Sequence, residues 1–148
     1  MKKVGVVICL MCACMCIASR GAIEEHYKED SITLSTSKGA KRGEGKLIVC
    51  GEKVTFSIRP HYSEFFGQST ISAGAEMTNS LPTKVKAVYA ISFHDKDGTL
   101  VTCGQGSWDL KPGEQINYGS GILYATPEAI ARITSYKLRT EVTESTKK

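Results

Sequence analysis

Strict alternation of apolar and polar side chains runs through most of the chain after residue 46 and limits the folds open to it. A period of two places alternate side chains on opposite faces of a β-strand, whereas an amphipathic helix needs a period near 3.6. Lys84 and Lys86 fall on the polar side of the clearest row. The apolar side of that row is Val85, Ala87, Tyr89, Ile91 and Phe93. This row predicts a strand with one face in a core.

Similar rows recur at short spacing with turn chemistry between them. Asp95–Gly98 predicts a hairpin turn and Leu110–Glu114 predicts a proline–glycine corner. Thr126-Pro127 is typical of a capped helix start, so we expect at most one short helical turn near residues 127–132. With 148 residues there is room for one domain of this kind. The pattern therefore predicts an all-β, antiparallel β-sandwich of six to eight strands.

The first 18 residues are typical of a secretory signal. Lys2 and Lys3 precede an apolar run from Val4 to Ile17, and small side chains follow. We expect cleavage after Ala18, with cleavage after Ser19 as an alternative. Two further interpretations remain open: an uncleaved membrane anchor, and a bacterial lipoprotein signal that carries its lipid on Cys14. The chain is thus predicted to be exported to the periplasm, the cell envelope or the medium.

The sequence divides into four predicted segments. Residues 1–18 are the signal peptide, 19–45 a flexible N-terminal segment, 46–143 the sandwich and 144–148 a disordered tail. Within the second segment, Lys38–Lys46 is rich in glycine and basic residues, which predicts a solvated loop, with binding to an anionic surface as the alternative. Loss of Lys2 and Lys3 with the signal lowers the net charge from +4 to +2. That balance gives no indication of nucleic-acid binding.

Cys50 and Cys103 are the two cysteines that remain after signal cleavage. An exported chain with an even cysteine count favours a disulfide, so we predict a Cys50–Cys103 bond. The alternative is two buried thiols. No CxxC pair remains and no histidine lies near either cysteine in the sequence, so a metal site there is not expected.

The stretch from about residue 73 to residue 142 resembles the FxLYD type of small extracellular immunoglobulin-like domain. Gly74 and Asn79-Ser80 match a glycine and an asparagine that close one strand in that pattern. Ile91–Asp95 occupies the namesake motif, with Ile91, Phe93 and His94 in place of Phe, Leu and Tyr. Leu110–Glu114 matches a Leu-x-Pro-Gly-Glu corner. The resemblance implies an immunoglobulin-like sandwich, and an envelope or surface module without assigned catalytic residues.

Residues 59–67 form an unusually aromatic stretch between two predicted strands, which we interpret as a loop. Aromatic and arginine side chains are the types that anchor interfaces. The predicted binding loop comprises Arg59, His61, Tyr62, Phe65 and Phe66. The alternative is a crossover loop that covers one end of the sandwich with Phe65 and Phe66 buried.

Motifs for catalysis and for metal binding are weak. A calcium loop that begins at Asp95 would need a glycine at its sixth position and a carboxylate at its twelfth, where this chain has Leu100 and Gly106. The surroundings of Cys103 faintly resemble those of a cysteine-protease nucleophile, but no histidine follows it in the chain. We therefore expect no enzyme activity and no cofactor.

The function predicted from the sequence is that of an exported, non-enzymatic module of the bacterial cell envelope that binds a protein or plays a structural role. The alternative is a secreted or periplasmic inhibitor or immunity-type protein that blocks a partner through the aromatic loop. The expected partner is a protein or another envelope component, without nucleic acid, and with a membrane only if the chain carries a lipid.

Overall fold

A computed structural model describes residues 21–34, 42–65, 68–118, 123–124 and 126–145. The predicted signal segment 1–18 with Cys14, the aromatic Phe66 and residues 146–148 of the predicted tail lie outside the described residues. In chain order the elements are β1 (Ala22–Ser31), β2 (Arg42–Glu44), β3 (Ile48–Cys50), β4 (Val54–Phe65), β5 (Gln68–Asn79), β6 (Val85–His94), β7 (Leu100–Leu110), β8 (Gln115–Tyr118), β9 (Leu123–Tyr124), α1 (Pro127–Ala131) and β10 (Ser135–Glu144).

These strands form two antiparallel sheets packed face to face, which confirms the predicted sandwich. Sheet A has the order β1-β10-β6-β7. Sheet B has the order β2-β4-β5-β8, with β3 also paired to β4 and β9 also paired to β5. The described part contains ten strands rather than six to eight, because β2, β3, β8 and β9 are short pieces and β1 was not foreseen.

The predicted apolar rows supply the core. On β6 the buried apolar positions are Val85, Ala87, Tyr89, Ile91 and Phe93. Across the gap, sheet B contributes Phe56, Ile58, Ile71 and Met77, all fully buried. The Tyr89 hydroxyl donates to the Ala73 carbonyl of the opposite sheet at 3.2 Å, so the core also joins the two layers by a hydrogen bond.

The predicted turns are confirmed. Gly98 (φ 76°) and Gly113 (φ 70°) adopt the positive φ that their turns require. Asp95 Oδ1 accepts from the N–H groups of Asp97 and Thr99 at 3.0 and 2.9 Å, which closes the β6–β7 hairpin. At α1, Thr126 Oγ1 accepts from the Ala129 N–H at 3.2 Å, which caps a helix of five residues. No helix in the described ranges is long and apolar enough to cross a membrane.

The predicted flexible segment 19–45 is wrong for residues 22–31 and 42–44, which form β1 and β2. β1 pairs with β10 at an edge of sheet A, and its positions opposite the inward-facing Val142, Thr140 and Leu138 are Glu24, His26 and Lys28. Inward-pointing charged side chains on an edge strand prevent further strand pairing. Because both faces of β1 are polar, no apolar alternation marks it in the sequence.

The predicted loop at residues 59–65 is also wrong, because β4 continues through it to Phe65 and pairs with β5 along its whole length. The Pro60 carbonyl accepts from the N–H of Gly45, a residue between β2 and β3, at 2.7 Å, and the N–H of a strand residue would point to the same side as its carbonyl. The side of Pro60 that lacks an N–H therefore faces the interruption between β2 and β3. A proline is confined to such edges and bulges in a sheet.

Candidate functional site

A groove of about 500 Å³ lies on the outer face of sheet B. Strands β4, β5 and β8 build its floor and walls, and Leu47 bounds it at the edge of the sheet. Its lining residues are Leu47, Ser57, Arg59, His61, Gly74, Glu76 and Asn117. This volume falls within the range of small-molecule sites in proteins, roughly 300–1,000 Å³.

Gly74 lies at the centre of this face. It is directly opposite Arg59 on β4, and the flanking pairs are His61 with Ser72 and Ser57 with Glu76. Because Gly74 has no side chain, long neighbours surround an open patch of backbone. We refer to this depression as the Gly74 groove, defined by the lining residues given above.

Nothing in the fold requires a glycine at position 74. Its φ is ordinary, its pairing with β4 has no bulge, and an added Cβ would meet only His61 Cε1, at 4.0 Å. A glycine inside a strand weakens the sheet, and it marks a bulge, a tight bend or a place where another molecule approaches the backbone. No bulge accompanies Gly74, so neither its pairing nor a steric contact accounts for this glycine.

The ionisable groups around the groove are held by local partners. Arg59 Nη1 lies 3.3 Å from Glu44 Oε2, in a pair of which both side chains are more than half exposed. His61 Nε2 and Ser72 Oγ are 2.6 Å apart. Gln115 Nε2 donates to Glu76 Oε1. The walls therefore present polar groups with neighbouring partners, of which Arg59 pairs with a carboxylate and Glu76 contacts a neutral amide.

The structure separates the residues of the predicted binding loop. Arg59 and His61 are exposed and line the Gly74 groove, whereas Tyr62 points to the opposite side of β4 and is 5% exposed in the core. Tyr62 is therefore not part of an exposed aromatic surface, and its assignment to the binding loop is wrong. Phe65 ends β4, while its side chain, like Phe66, lies outside what the structure describes.

The predicted disulfide between Cys50 and Cys103 is not formed. Cys50 is opposite the buried Phe56 and thus faces the interior from sheet B, where its Sγ lies 3.9 Å from Thr140 Oγ1. Cys103 is opposite Ser92, on the outer side of sheet A. Side chains directly opposite in an antiparallel pair share a face of the sheet. The Cys50 thiol therefore lies on the inner side of sheet A and the Cys103 thiol on its outer side. Burial raises the pKa of the Cys50 thiol.

A serine and a histidine meet on the outer face of sheet A. His94 Nε2 lies 2.9 Å from Ser92 Oγ, and His94 Nδ1 lies 3.1 Å from the Gly98 carbonyl oxygen. This order of groups resembles a nucleophile, a base and an orienting acceptor. Ser92 is only 4% exposed, however, so its hydroxyl is shielded from a substrate. The pair satisfies a buried hydroxyl and fixes the end of β6.

Cys103 and His61 lie on opposite outer faces of the sandwich, since Cys103 belongs to sheet A and His61 to sheet B. A thiol–imidazole pair between them is therefore excluded by the fold. Among the described residues, no group of three or more His, Cys, Asp or Glu side chains is placed to hold a metal ion.

No model of a known protein family matches the chain. A search of curated proteins likewise finds no match.

Sequence reasoning identified Arg59 and His61 but missed the rest of the groove. The alternation Val54, Phe56, Ile58 already places Ser57 and Arg59 outward, and continuing it past Pro60 places His61 outward and Tyr62 inward. Glu76 and Gly74 share a face by the same count on β5. What the sequence lacks is the register that brings Arg59 beside Gly74, since that depends on the length of the β4–β5 hairpin.

Proposed function

We propose that this chain is an exported, non-enzymatic binding module of the bacterial cell envelope, and that the Gly74 groove is its binding site. The observation that carries the proposal is a strand-interior glycine that the fold does not need, placed at the floor of an open polar groove. A ligand that approaches the backbone supplies the missing reason for it.

Two further observations support the proposal. The Arg59, His61 and Glu76 side chains each have a neighbouring partner, which holds them in place as recognition groups. The basic and apolar start of the chain supports export. The alternative, an inhibitor that acts through an aromatic loop, loses Tyr62 as a contact residue because that side chain is in the core.

Export and binding are tested together on the protein secreted by a bacterial host from the full-length sequence. Mass spectrometry of the recovered protein gives its N-terminus and any lipid, and distinguishes cleavage after Ala18, cleavage after Ser19 and lipidation at Cys14. We expect a mature chain that begins at Ser19. A cytoplasmic protein that retains residues 1–18 contradicts the export half of the proposal.

Binding is measured by sedimentation of the recovered protein with purified bacterial envelope fragments. We expect Gly74→Val to abolish co-sedimentation, because a branched side chain raises the floor of the groove. Ser107→Val is the matched control, because Ser107 is an exposed, outward-facing position on β7 of the other sheet. Equal sedimentation of wild type and Gly74→Val contradicts the assignment of the groove.

A further inference from the structure

The charges around the Gly74 groove argue against a strongly anionic ligand. Arg59 is the one arginine or lysine among its lining residues, and it is already paired with Glu44 at 3.3 Å. Glu76 adds a second carboxylate to the same face. An anion would have to displace Glu44 and lie close to Glu76, and like charges a few ångströms apart repel each other.

The same contacts argue against a cationic ligand. Glu44 is paired with Arg59. Glu76 keeps its negative charge, because the Gln115 amide is neutral, but among the lining residues Arg59 balances that charge. Within the described residues, no cluster of acidic, histidine or cysteine side chains is arranged to hold a metal ion. The groove therefore favours a ligand without net charge.

The hydrogen-bonding groups of the groove include both donors and acceptors that lie near one another. Arg59 uses one of its five N–H groups on Glu44, Asn117 offers an amide that both donates and accepts, and Ser57 offers a hydroxyl. Glu76 has a second carboxylate oxygen beyond the one held by Gln115. A ligand that fits this mixture must itself donate and accept at adjacent positions, which is the property of a hydroxyl group.

Apolar surface completes the groove. Leu47 is 41% exposed at one side, and the floor at Gly74 is bare backbone. A flat ring with C–H groups on its faces and hydroxyl groups around its rim can lie on such a floor and reach the walls. The groove thus combines an apolar contact at Leu47 with several polar groups, and polar groups placed to fix the orientation of a ligand are typical of small-ligand recognition.

We infer that the ligand of the Gly74 groove is a neutral saccharide. The inference rests on the proposed function, since it names the ligand of the same site. Arg59, Asn117 and Ser57 bind ring hydroxyls as donors, and the second oxygen of Glu76 accepts from one. Leu47 and the Gly74 backbone contact the C–H face of the ring.

The test is an NMR titration of the ¹⁵N-labelled secreted protein with four defined probes. Maltotetraose and tetra-N-acetylchitotetraose are neutral, tetragalacturonate is anionic, and a capped tetra-alanine is an uncharged peptide. We expect at least one neutral glycan to shift the backbone amides of Arg59, Gly74 and Asn117 saturably, with a Kd of about 1 mM or below. Gly74→Val is expected to weaken that binding by about tenfold or more, which corresponds to roughly 1.4 kcal/mol, and Ser107→Val to leave it unchanged.

Other outcomes overturn the saccharide assignment, and the envelope sedimentation assay separates it from the proposed function. Binding of only the galacturonate or only the peptide at these amides shows that the ligand class is wrong, while sensitivity to Gly74→Val keeps the groove as the site. If no probe shifts these amides, the saccharide assignment fails. The proposed function is then tested separately: it is supported if Gly74→Val abolishes sedimentation with envelope fragments and contradicted if it does not.

Discussion

Asn79 is fully buried at the end of β5 and joins three segments of the chain. Its Nδ2 donates to the carbonyls of Thr83, Leu110 and Lys111 at 3.0, 3.3 and 2.9 Å, and its Oδ1 accepts from the Leu81 N–H at 2.9 Å. The proline–glycine corner is thereby fixed to the β5–β6 connection. The Asn79 side chain thus satisfies buried backbone groups that the turns leave without strand partners.

We predict that Asn79→Ala lowers the free energy of unfolding by about 3 kcal/mol, because it leaves several buried backbone groups without a partner. Urea denaturation followed by circular dichroism measures the change. Asn117→Ala is the matched control, since Asn117 is exposed on β8 and its loss is expected to change stability by less than about 0.5 kcal/mol. Equal stability of the two variants would mean that Asn79 does not hold the corner.

Glu24 ties the edge strand β1 to the turn between β3 and β4. Its two carboxylate oxygens accept from the N–H groups of Glu52, Lys53 and Val54 at 2.7, 2.9 and 3.1 Å, and Oε1 lies 2.8 Å from His26 Nε2. Burial favours the neutral acid, but the hydrogen bonds from His26 and from the three backbone N–H groups outweigh it. Together they lower the pKa of Glu24 from 4.5 to about 2.

A folded-state pKa below the unfolded value means that ionised Glu24 stabilises the fold above about pH 4.5 and that this contribution is lost as the pH falls toward 2. We predict that Glu24→Gln destabilises the protein by about 1–2 kcal/mol at pH 7, allowing for solvent screening. The difference from wild type should shrink between pH 4.5 and pH 2 in denaturation measured at each pH. Glu29→Gln is the matched control, because it removes an exposed partner of Lys137 and should change stability at pH 7 by less than about 0.5 kcal/mol. A constant difference for Glu24→Gln would refute the carboxylate's role.

At the scale of elements, the strands that sequence analysis found are those with one apolar face. β6 and β10 bury alternate side chains along their whole length, so their alternation is visible in the sequence. β1 is invisible by the same test because its inward positions lie at the sheet edge and carry Glu24, His26 and Lys28. The sequence analysis ended this strand before Arg59 because it interpreted the aromatic stretch 59–67 as a loop. β4 continues to Phe65, and Pro60 is compatible with it because its side without an N–H faces the β2–β3 interruption.

The disulfide prediction failed for a reason of the same kind. Cysteine count and compartment indicate whether a bond can form, whereas the face of each strand decides whether two thiols can meet. Cys50 on β3 faces the core, and Cys103 on β7 faces outward from the other sheet. Neither orientation follows from spacing along the chain.

We predict that both thiols remain reduced in the secreted protein. Unfolding in iodoacetamide without reductant, followed by peptide mapping, should find Cys50 and Cys103 alkylated in nearly every molecule. In the folded state Cys50 should react far more slowly than after unfolding, because it is half-buried and burial raises its pKa. Recovery of a crosslinked peptide pair from the secreted protein would contradict the strand orientations given above.

At the scale of the whole molecule, the sandwich leaves two outer faces for function, and their compositions differ. Sheet A carries the pairs of Arg139 with Glu25 and of Lys137 with Glu29 across neighbouring strands. The Lys137–Glu29 pair is exposed and contributes little stability, whereas Arg139 is partly buried. Sheet B carries the Gly74 groove instead. The proposed binding face is therefore the outer face of sheet B, whereas the core motifs of the sequence define the architecture without naming a site.

Two strand-interior glycines allow the separation of architecture from binding to be tested. Gly106 on β7 faces the stacked rings of Tyr89 and Trp108, whose centroids are 5.7 Å apart, and an added Cβ would overlap the Trp108 indole. Gly74 faces the open groove, and an added Cβ there has room. Sterics therefore explain the first glycine but not the second, for which we propose a ligand as the reason.

We predict opposite signs for the same substitution at these two positions. Gly106→Ala should destabilise the protein by about 2 kcal/mol, because the indole must leave its place over the core. Gly74→Ala should stabilise it by about 0.5–1 kcal/mol, because the unfolded chain loses freedom and the strand gains a side chain without strain. Urea denaturation of both variants beside wild type measures the two changes. If Gly74→Ala lost as much stability as Gly106→Ala, Gly74 would have a structural role and the groove would lose its support as a binding site. If Gly74→Ala is more stable and binds its ligand less well, the glycine weakens the sheet in order to permit recognition.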